Sequence, residues 1–490
     1  MNLSKSRYCR GLQCKKILWL EKNKPEEMND VNNDSILEQG NAVHEVARYL
    51  FGEHINIEYT DNLQEMVKDT YRTIESYKDI VITEASFNYE NNFCSVDILK
   101  KNNDKYEIYE VKSSTELKDV YINDASYQYY VLTNLGFNVT KCSIVVINRG
   151  YERIGNIDLN KLFLKFDITS DVILLQDKVK NTIKDINDYM KEEIEPTEEL
   201  DRKCFKPYDC PFFSYCTKNL EHPNVFDITV KPGLKGLTFY KNGYKTFSDL
   251  LNAKLNSNQR QRVEFELYNK EDYIDKDNIK KFLNTLSYPL YFLDFETYQM
   301  PIPLYDRVKP YEQVPFQYSL HYLNSFDGKL EHKEFLAEPG HDPRRSLAER
   351  LVNDIPKDVC TLAYNMSFEK NVIKRLAQIY PDLHDNLMNI HDNIKDLEIP
   401  FSKRFYYNKA MKSSSSIKYV LPALFPNDPS LDYHNLELIH NGTEAMNSFR
   451  EMENMTKEEL LYTRENLLKY CCLDTYAMVK ILEKLNKVTR

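Results

Sequence analysis

The stretch LSYPLYFLDFETYQM, residues 286–300, is apolar enough for a buried strand, yet it carries Asp294 and Glu296. Side chains two apart in a strand share a face, so both acids fall on the side that also holds Leu290 and Phe292. Residues 457–488 predict one long helix whose inward stripe reads Leu467, Cys471, Asp474, Met478, Ile481 and Leu485, the alternating steps of four and three that one helical face requires. Asp474 therefore lies among core positions. A helix beginning near Ser367, with Ser367 as its N-cap, puts Glu369 on a stripe with Val372, Leu376 and Ile379. Strands at QYSLHYLN and VCTLAYN and a helix after DPRRS complete a second α/β pattern from residue 286.

The earlier part of the chain alternates differently. A helix over 36–51 precedes three strands, ITEASFNY, NNFCSVDILK and KYEIYEVKSS, the last two joined by the turn KNNDK. A helix at SYQYYVLTNLG ends on Gly136, CSIVVINRG reads as a further strand, and a charged helical region covers 171–194. The cysteine-rich CFKPYDCPFFSYC and the linker-like EHPNVFDITVKPG follow, then short polar helices over 234–283. The patterning predicts α/β organisation throughout: a mixed domain over 1–222, a small helical linker domain over 223–285 and a second α/β domain over 286–490.

A chain of 490 residues with 42% hydrophobic and 29% charged residues has the material for cores of this size. Its formal net charge of −10 gives no global argument for nucleic-acid binding. Two local clusters do. Residues 1–24 hold seven cations against Glu21 alone, and FSKRFYYNKAMKSSSSIKY, 401–419, holds Lys403, Arg404, Lys412 and Lys418 among Tyr406, Tyr407 and other rings, without an acid. Cations for phosphates and rings for bases are what a single strand needs. The apolar run ILWL is far too short for a leader or a membrane span, so a cytoplasmic location with no membrane partner is expected. The ten cysteines are then reduced thiols, candidates for ligands rather than disulfides.

Four inward acids from three elements of the second domain, with no matching inward lysines or arginines, call for divalent cations, and hard oxygen ligands suit Mg²⁺ or Mn²⁺. The segments FLDFET, YNMSFE and YCCLDT resemble the three motifs of DEDD-type 3′–5′ exonucleases, whose fold is RNase H-like. The resemblance implies that Asp294, Glu296, Glu369 and Asp474 are metal ligands, and that Tyr470 orients the attacking water, as in the family's tyrosine variant. Glu369 stands where the family usually has Asp, which leaves Asp396 in IKDLEI as an alternative.

In the first domain Asp97 lies on one strand of a hairpin, with Glu110 and Lys112 on one face of the other. The order His44, Asp97, Glu110, Lys112, Gln128 resembles the PD-(D/E)xK superfamily in its RecB-like branch, which includes CRISPR-associated exonucleases. That implies a restriction-endonuclease-like fold, metal ligands at His44, Asp97 and Glu110, and catalytic roles for Lys112 and Gln128, with Glu84 flanking the site. Members of the branch hold a 4Fe-4S cluster on one N-terminal and three C-terminal cysteines; here Cys14, with Cys9 as its competitor, and Cys204, Cys210 and Cys216 match. Thiolates suit zinc as well as iron–sulfur. The C-x5-C-x5-C spacing departs from the common pattern. Cys94, Cys142, Cys360, Cys471 and Cys472 fall in apolar elements and are expected in the core.

The whole chain thus resembles bacterial fusions of a RecB-like iron–sulfur nuclease domain with a DEDD-type exonuclease domain. The expected activity is metal-dependent hydrolysis of phosphodiester bonds at two sites, with single-stranded DNA as the expected partner and RNA open at the C-terminal site. The alternatives are a nucleic-acid-binding scaffold with silent sites, or a protein in which one domain delivers substrate to the other.

Overall fold

The computed structural model of the chain describes residues 3–29 and 34–490. The protein is mixed α/β and divides into two compact units, Met1–Asn219 with Met300–Glu312, and Leu220–Gln299 with Gln313–Arg490. Among the described residues no helix is long and apolar enough to cross a membrane.

The first unit is built on a seven-stranded sheet of β1 (Leu3–Ser4), β2 (Ile55–Asn56), β3 (Asp79–Tyr89), β4 (Asn92–Asn102), β5 (Lys105–Lys112), β6 (Asn138–Ile147) and β7 (Phe163–Asp167), in the order β2-β3-β4-β5-β6-β7 with β1 pairing β4. β3, β4 and β5 form an antiparallel meander, and β6 runs parallel to β5 after a crossover through the helix Asp119–Asn134. One core lies on each face of this sheet. The alternation along β4 breaks at Asp97: Cys94 and Val96 face one core and Ile98 the other, yet Leu99 returns to the first. Thr83 pairs with Ile98 and Ala85 with Val96, leaving Glu84 and Asp97 outside the ladder, and Glu84 has φ +57°. A left-handed non-glycine residue in a strand is a strained feature of the kind concentrated at functional sites. Residues 300–312, which connect two strands of the other unit's sheet, belong to this unit; Tyr311 Oη lies 2.8 Å from Ser113 Oγ, and Asp306 Oδ1 accepts from the Gly155 N–H at 2.7 Å.

The second unit contains β8 (Tyr273–Ile274), then β9 (Leu290–Tyr298), β10 (Val314–Leu323), β11 (Leu330–Leu336), β12 (Cys360–Ala363) and β13 (Ile394–Asp396) in a five-stranded sheet ordered β11-β10-β9-β12-β13, and β14 (Tyr406–Tyr407), which pairs β8. β9 to β11 are antiparallel neighbours, and β12 and β13 run parallel to β9. Here the alternation is regular. Tyr291, Leu293 and Phe295 face the helices Arg344–Asp354 and Ser367–Ile379, while Leu290 and Phe292 face the closing helix, Lys457–Thr489, through Met478, Ile481 and Leu485. The closing helix starts at a capping box, with the Thr456 and Glu459 side chains bonded reciprocally to each other's backbone N–H. Ser367 is not an N-cap: it is the first residue of its helix, and Met366 stands at the cap position without a side-chain bond.

Candidate functional site

In the second unit, the regular pleat of β9 sends Asp294 and Glu296 out on the closing-helix side, beyond Leu290 and Phe292. The closing helix adds Asp474 and the first turn of Ser367–Ile379 adds Glu369. Glu296 and Glu369 are buried, whereas Asp294 and Asp474 are partly open. Burial first, then the carboxylates of Asp474, Glu296 and Glu369, push Asp294 well above the usual carboxylate range. Burial and Asp474 do the same to Glu296, with Lys418 opposing. Burial raises Glu369 to about 8, its own backbone N–H opposing and Asp396 adding. Asp474 is raised to about 7, again by burial, against hydrogen bonds from Tyr433 and Tyr470 and the charge of Lys418. Among the described residues no lysine or arginine makes an ion pair with any of the four, and the buried Glu369 Oε2 meets no donor. A buried oxygen without a partner is a costly arrangement. Asp396 Oδ1 accepts from the backbone N–H groups of Asn365 and Glu398 at 3.1 and 2.9 Å, and its charge reaches Glu369.

The phenol of Tyr433, from a short turn of helix, donates to Asp474 Oδ1 at 2.6 Å, and its ring lies 5.9 Å from that of Tyr470. Nothing in the local pattern of LDYHN marks this tyrosine, because its position depends on how the 425–440 segment folds back. Tyr433, Lys418 and His440 line a groove of about 760 Å³.

In the first unit, the irregularity at Glu84 and Asp97 turns both acids towards His44, so that one ligand atom from each lies within 4.8 Å of the others. His44 Nδ1 is 3.9 Å from Asp97 Oδ1. With the ladder interrupted, Asp97 Oδ2 itself accepts the Val111 N–H at 2.6 Å, doing the work of a strand carbonyl. Glu110 Oε1 takes the ammonium groups of Lys5 at 2.6 Å and Lys112 at 2.8 Å, and Gln128 donates to Oε2. Asp124, one turn before Gln128 on the same helix, holds Lys112. Burial alone would raise Glu110, but Lys112 and Lys5 override it and hold the carboxyl below its ordinary range. Asp97 is raised, by burial and by Glu110, with Lys5 and His44 opposing. Gln128 Oε1 is buried without a partner. Asp124 has no sequence signal of its own, and Lys5 only that of the basic cluster over 1–24; Lys5 reaches the site because Leu3 and Ser4 pair with β4, opposite Asn92 and Phe93.

Cys14 sits between the helices Lys5–Gln13 and Lys15–Asn23, and the adjacent Gln13 amide donates to the carbonyls of Lys203 and Tyr208, at 2.8 Å each, tying it to the loop that carries Cys204 and Cys210. Burial raises the thiols of Cys204, Cys210 and Cys216, and Cys14 is near enough to each to add to the rise. Cys9 points elsewhere: its thiol donates to Asp124 Oδ1 at 2.6 Å.

The basic segment 401–419 divides. Lys403, Lys412 and Lys418 are exposed. Tyr406 and Tyr407, expected to stack on bases, are each only 1% exposed, because β14 pairs with β8 and inserts both rings into the core beside Phe401 and Phe265. They cannot form a stacking platform. Arg404 lies over the Tyr407 ring at 4.1 Å and donates to the Ser413 carbonyl, which makes it part of the packing of this segment.

Fold and sites together define a mixed α/β protein with two clusters of inward acids, one supplied with lysines and one without. A family described as a domain of unknown function, DUF2779, matches residues 291–416, a stretch that begins within β9 and holds Asp294, Glu296 and Glu369 but stops short of Asp474. No curated protein matches the chain.

Proposed function

We propose that this chain is a metal-dependent nuclease, an exonuclease with two active sites that hydrolyses phosphodiester bonds of nucleic acid. DNA is the substrate of the first site, and single-stranded DNA or RNA that of the second. The reading includes a PD-(D/E)xK restriction-endonuclease-like domain, a helical linker and an RNase H-like DEDD-type domain. The observation that carries it is the second cluster: four carboxylates gathered from three elements, one with a buried oxygen lacking any donor, and among the described residues no lysine or arginine in an ion pair with them. That donor set fits hard divalent ions. Asp294, Glu296, Glu369 and Asp474 would hold Mg²⁺ or Mn²⁺, which when bound supplies Lewis-acid stabilisation of phosphoryl oxygens and lowers the pKa of water.

The chain's own groups have separate tasks. Tyr470 orients the attacking water, and Tyr433 holds Asp474 in place and in its ionised form. Lys418, exposed and felt by both Glu296 and Asp474, is placed to meet a phosphate. In the first unit His44, Glu84 and Asp97 fit one ion, while Lys112 and Lys5 present positive charge to a developing phosphorane-like transition state. Gln128 and Asp124 position Glu110 and Lys112. Cys14, Cys204, Cys210 and Cys216 would hold a 4Fe-4S cluster, with zinc as the alternative, closing the two ends of the first unit.

The test uses end-labelled single and double strands of DNA and RNA with Mg²⁺ or Mn²⁺, on anaerobically purified protein whose iron, sulfide and zinc have been counted. Asp97→Ala and Asp294→Ala should each remove one separable activity. Activity at the parent's level in the double variant defeats the proposal.

A further inference from the structure

On the sheet of the second unit, His321 of β10 pairs directly across from His332 of β11, and their rings lie 4.4 Å apart. Cys472 of the closing helix stands against them, so that one nitrogen from each ring and the Cys472 sulfur all fall within 4.8 Å of one another. His321 is buried; His332 and Cys472 are partly open. Two imidazoles and a thiol gathered from three elements fit nothing in the nuclease reading.

One arrangement of protons satisfies every hydrogen bond around them. Thr475 Oγ1 donates to the Cys472 carbonyl at 3.2 Å, which uses its proton. The 2.6 Å contact between Ser319 Oγ and Thr475 Oγ1 must then be donated by Ser319, which uses that one. His321 Nδ1, 2.8 Å from Thr475 Oγ1, and His332 Nε2, 3.0 Å from Ser319 Oγ, are therefore both donors. Burial favours neutral rings at both positions. A neutral imidazole that donates from one nitrogen carries a lone pair on the other, so in this arrangement His321 Nε2 and His332 Nδ1 are the acceptors turned to a ligand. A ring whose far nitrogen is tied to a hydroxyl or carbonyl is the arrangement that orients histidine ligands on metals.

We propose that His321, His332 and Cys472 bind a single borderline-soft divalent cation, zinc in kind, at a site separate from the acid cluster. Two nitrogens and a thiolate select against the hard ions that the acids would take. Binding releases the Cys472 proton to solvent and leaves a fourth position for water. The ion would staple β10 and β11 to the closing helix two residues before Asp474, acting as a positioning device for the helix that carries it. The inference does not depend on the nuclease reading.

The full chain is incubated with zinc, freed of excess by gel filtration, and assayed for zinc and iron per chain beside Cys472→Ser and His332→Gln. The expected result is the loss of one zinc equivalent in each variant with iron unchanged. Equal zinc in parent and both variants overturns the site. Because a core-facing substitution can impair folding, cobalt is also titrated into the folded parent and into Cys472→Ser. A thiolate-to-cobalt charge-transfer band present in the parent and diminished in the variant supports the site; identical spectra refute it.

Discussion

In the first unit Glu110 is 1% exposed and shares one oxygen between two lysine ammonium groups; in the second Glu369 is 2% exposed and has an oxygen that meets no donor. The burial is the same and the company is opposite. A buried carboxylate stays charged only with a partner, and otherwise its pKa rises until it is neutral at working pH. Glu110 is accordingly held low, and Asp294, Glu296, Glu369 and Asp474 are all raised. Glu110 has its counter-charge in the lysines beside it and stays ionised whether or not an ion is present, while Asp97 and Glu84, farther from those lysines' bonds, are raised. The second has no such partner among the described residues, so its charge state follows pH and, under the nuclease proposal, the bound ion.

The sharpest way to break this contrast is to remove one group from each cluster in metal-free protein. Lys112→Ala leaves Glu110 buried with Lys5 alone, and breaking one partner of a buried pair costs about 3 kcal/mol, roughly 8 °C of Tm for a unit of this size. Asp294→Asn puts a neutral side chain where three neighbouring carboxyls oppose the charge, and at pH 8 should raise the second unit's Tm by roughly 3 °C. Calorimetry in a chelator reads both shifts and assigns the two transitions. Shifts of the same sign in both variants would show that the clusters do not differ as described.

The pH dependence of stability sharpens the same contrast with a smaller effect. Glu369 and Asp474 have folded pKa values of about 8 and about 7, above the ordinary 4.5 and 3.8 of the unfolded chain, so the folded state binds more protons between those limits. Their contribution is complete below pH 4 and is lost as pH rises towards 8, by at most about 1.4 kcal/mol per group per pH unit. Glu110 is lowered, so its contribution is present above the ordinary carboxylate value and is lost as pH falls below it. Metal-free protein warmed at pH 5, 6.5 and 8 should therefore show a falling second transition that Mn²⁺ flattens, whereas Glu110 adds no slope to the first over this range and only Asp97 and Glu84 lower it. A second transition that rises with pH contradicts the account.

The same contrast explains what was legible in the sequence. The second cluster could be read because β9 alternates strictly and the closing helix keeps its face: period alone places Asp294, Glu296 and Asp474 inward. The first could be read only in its hairpin. Its decisive feature, the irregularity that takes Glu84 and Asp97 out of the ladder, reverses the pleat and is invisible to a rule of two. Lys5 and Asp124 arrive by tertiary packing, Lys5 on a segment whose two-residue strand has no periodicity to detect. Strands β7, β11 and β13 escaped notice for a related reason: β7 and β11 lie at sheet edges with mostly open side chains, and β13 is three residues long. The aromatic residues of 401–419 misled in the other direction. Alternating rings and cations look alike whether the rings meet bases or a core, and pairing of β14 with β8 decided for the core at Tyr406 and Tyr407.

The smallest of the expected effects isolates one phenol within the second cluster. Tyr433 donates to Asp474 Oδ1 at 2.6 Å, and this bond, with that from Tyr470, works against burial in setting the Asp474 pKa. Tyr433→Phe keeps the ring and its packing on Tyr470 and removes only the donor. The carboxylate then loses a hydrogen bond to its charged form, and its pKa should climb by about one unit, the equivalent of about 1.4 kcal/mol. If the nuclease reading holds, the acidic limb of the Mn²⁺-dependent rate should move to higher pH by that amount while the plateau at alkaline pH is nearly kept, because an ionised Asp474 binds the ion as before. In that reading Tyr470→Phe should instead lower the plateau, since its phenol would orient the water. A pH–rate profile separates the two. An unmoved limb in Tyr433→Phe would mean that Asp474 is charged already and that the second cluster is better neutralised than its geometry implies, while an equal loss at every pH would assign Tyr433 to substrate contact rather than to holding the acid.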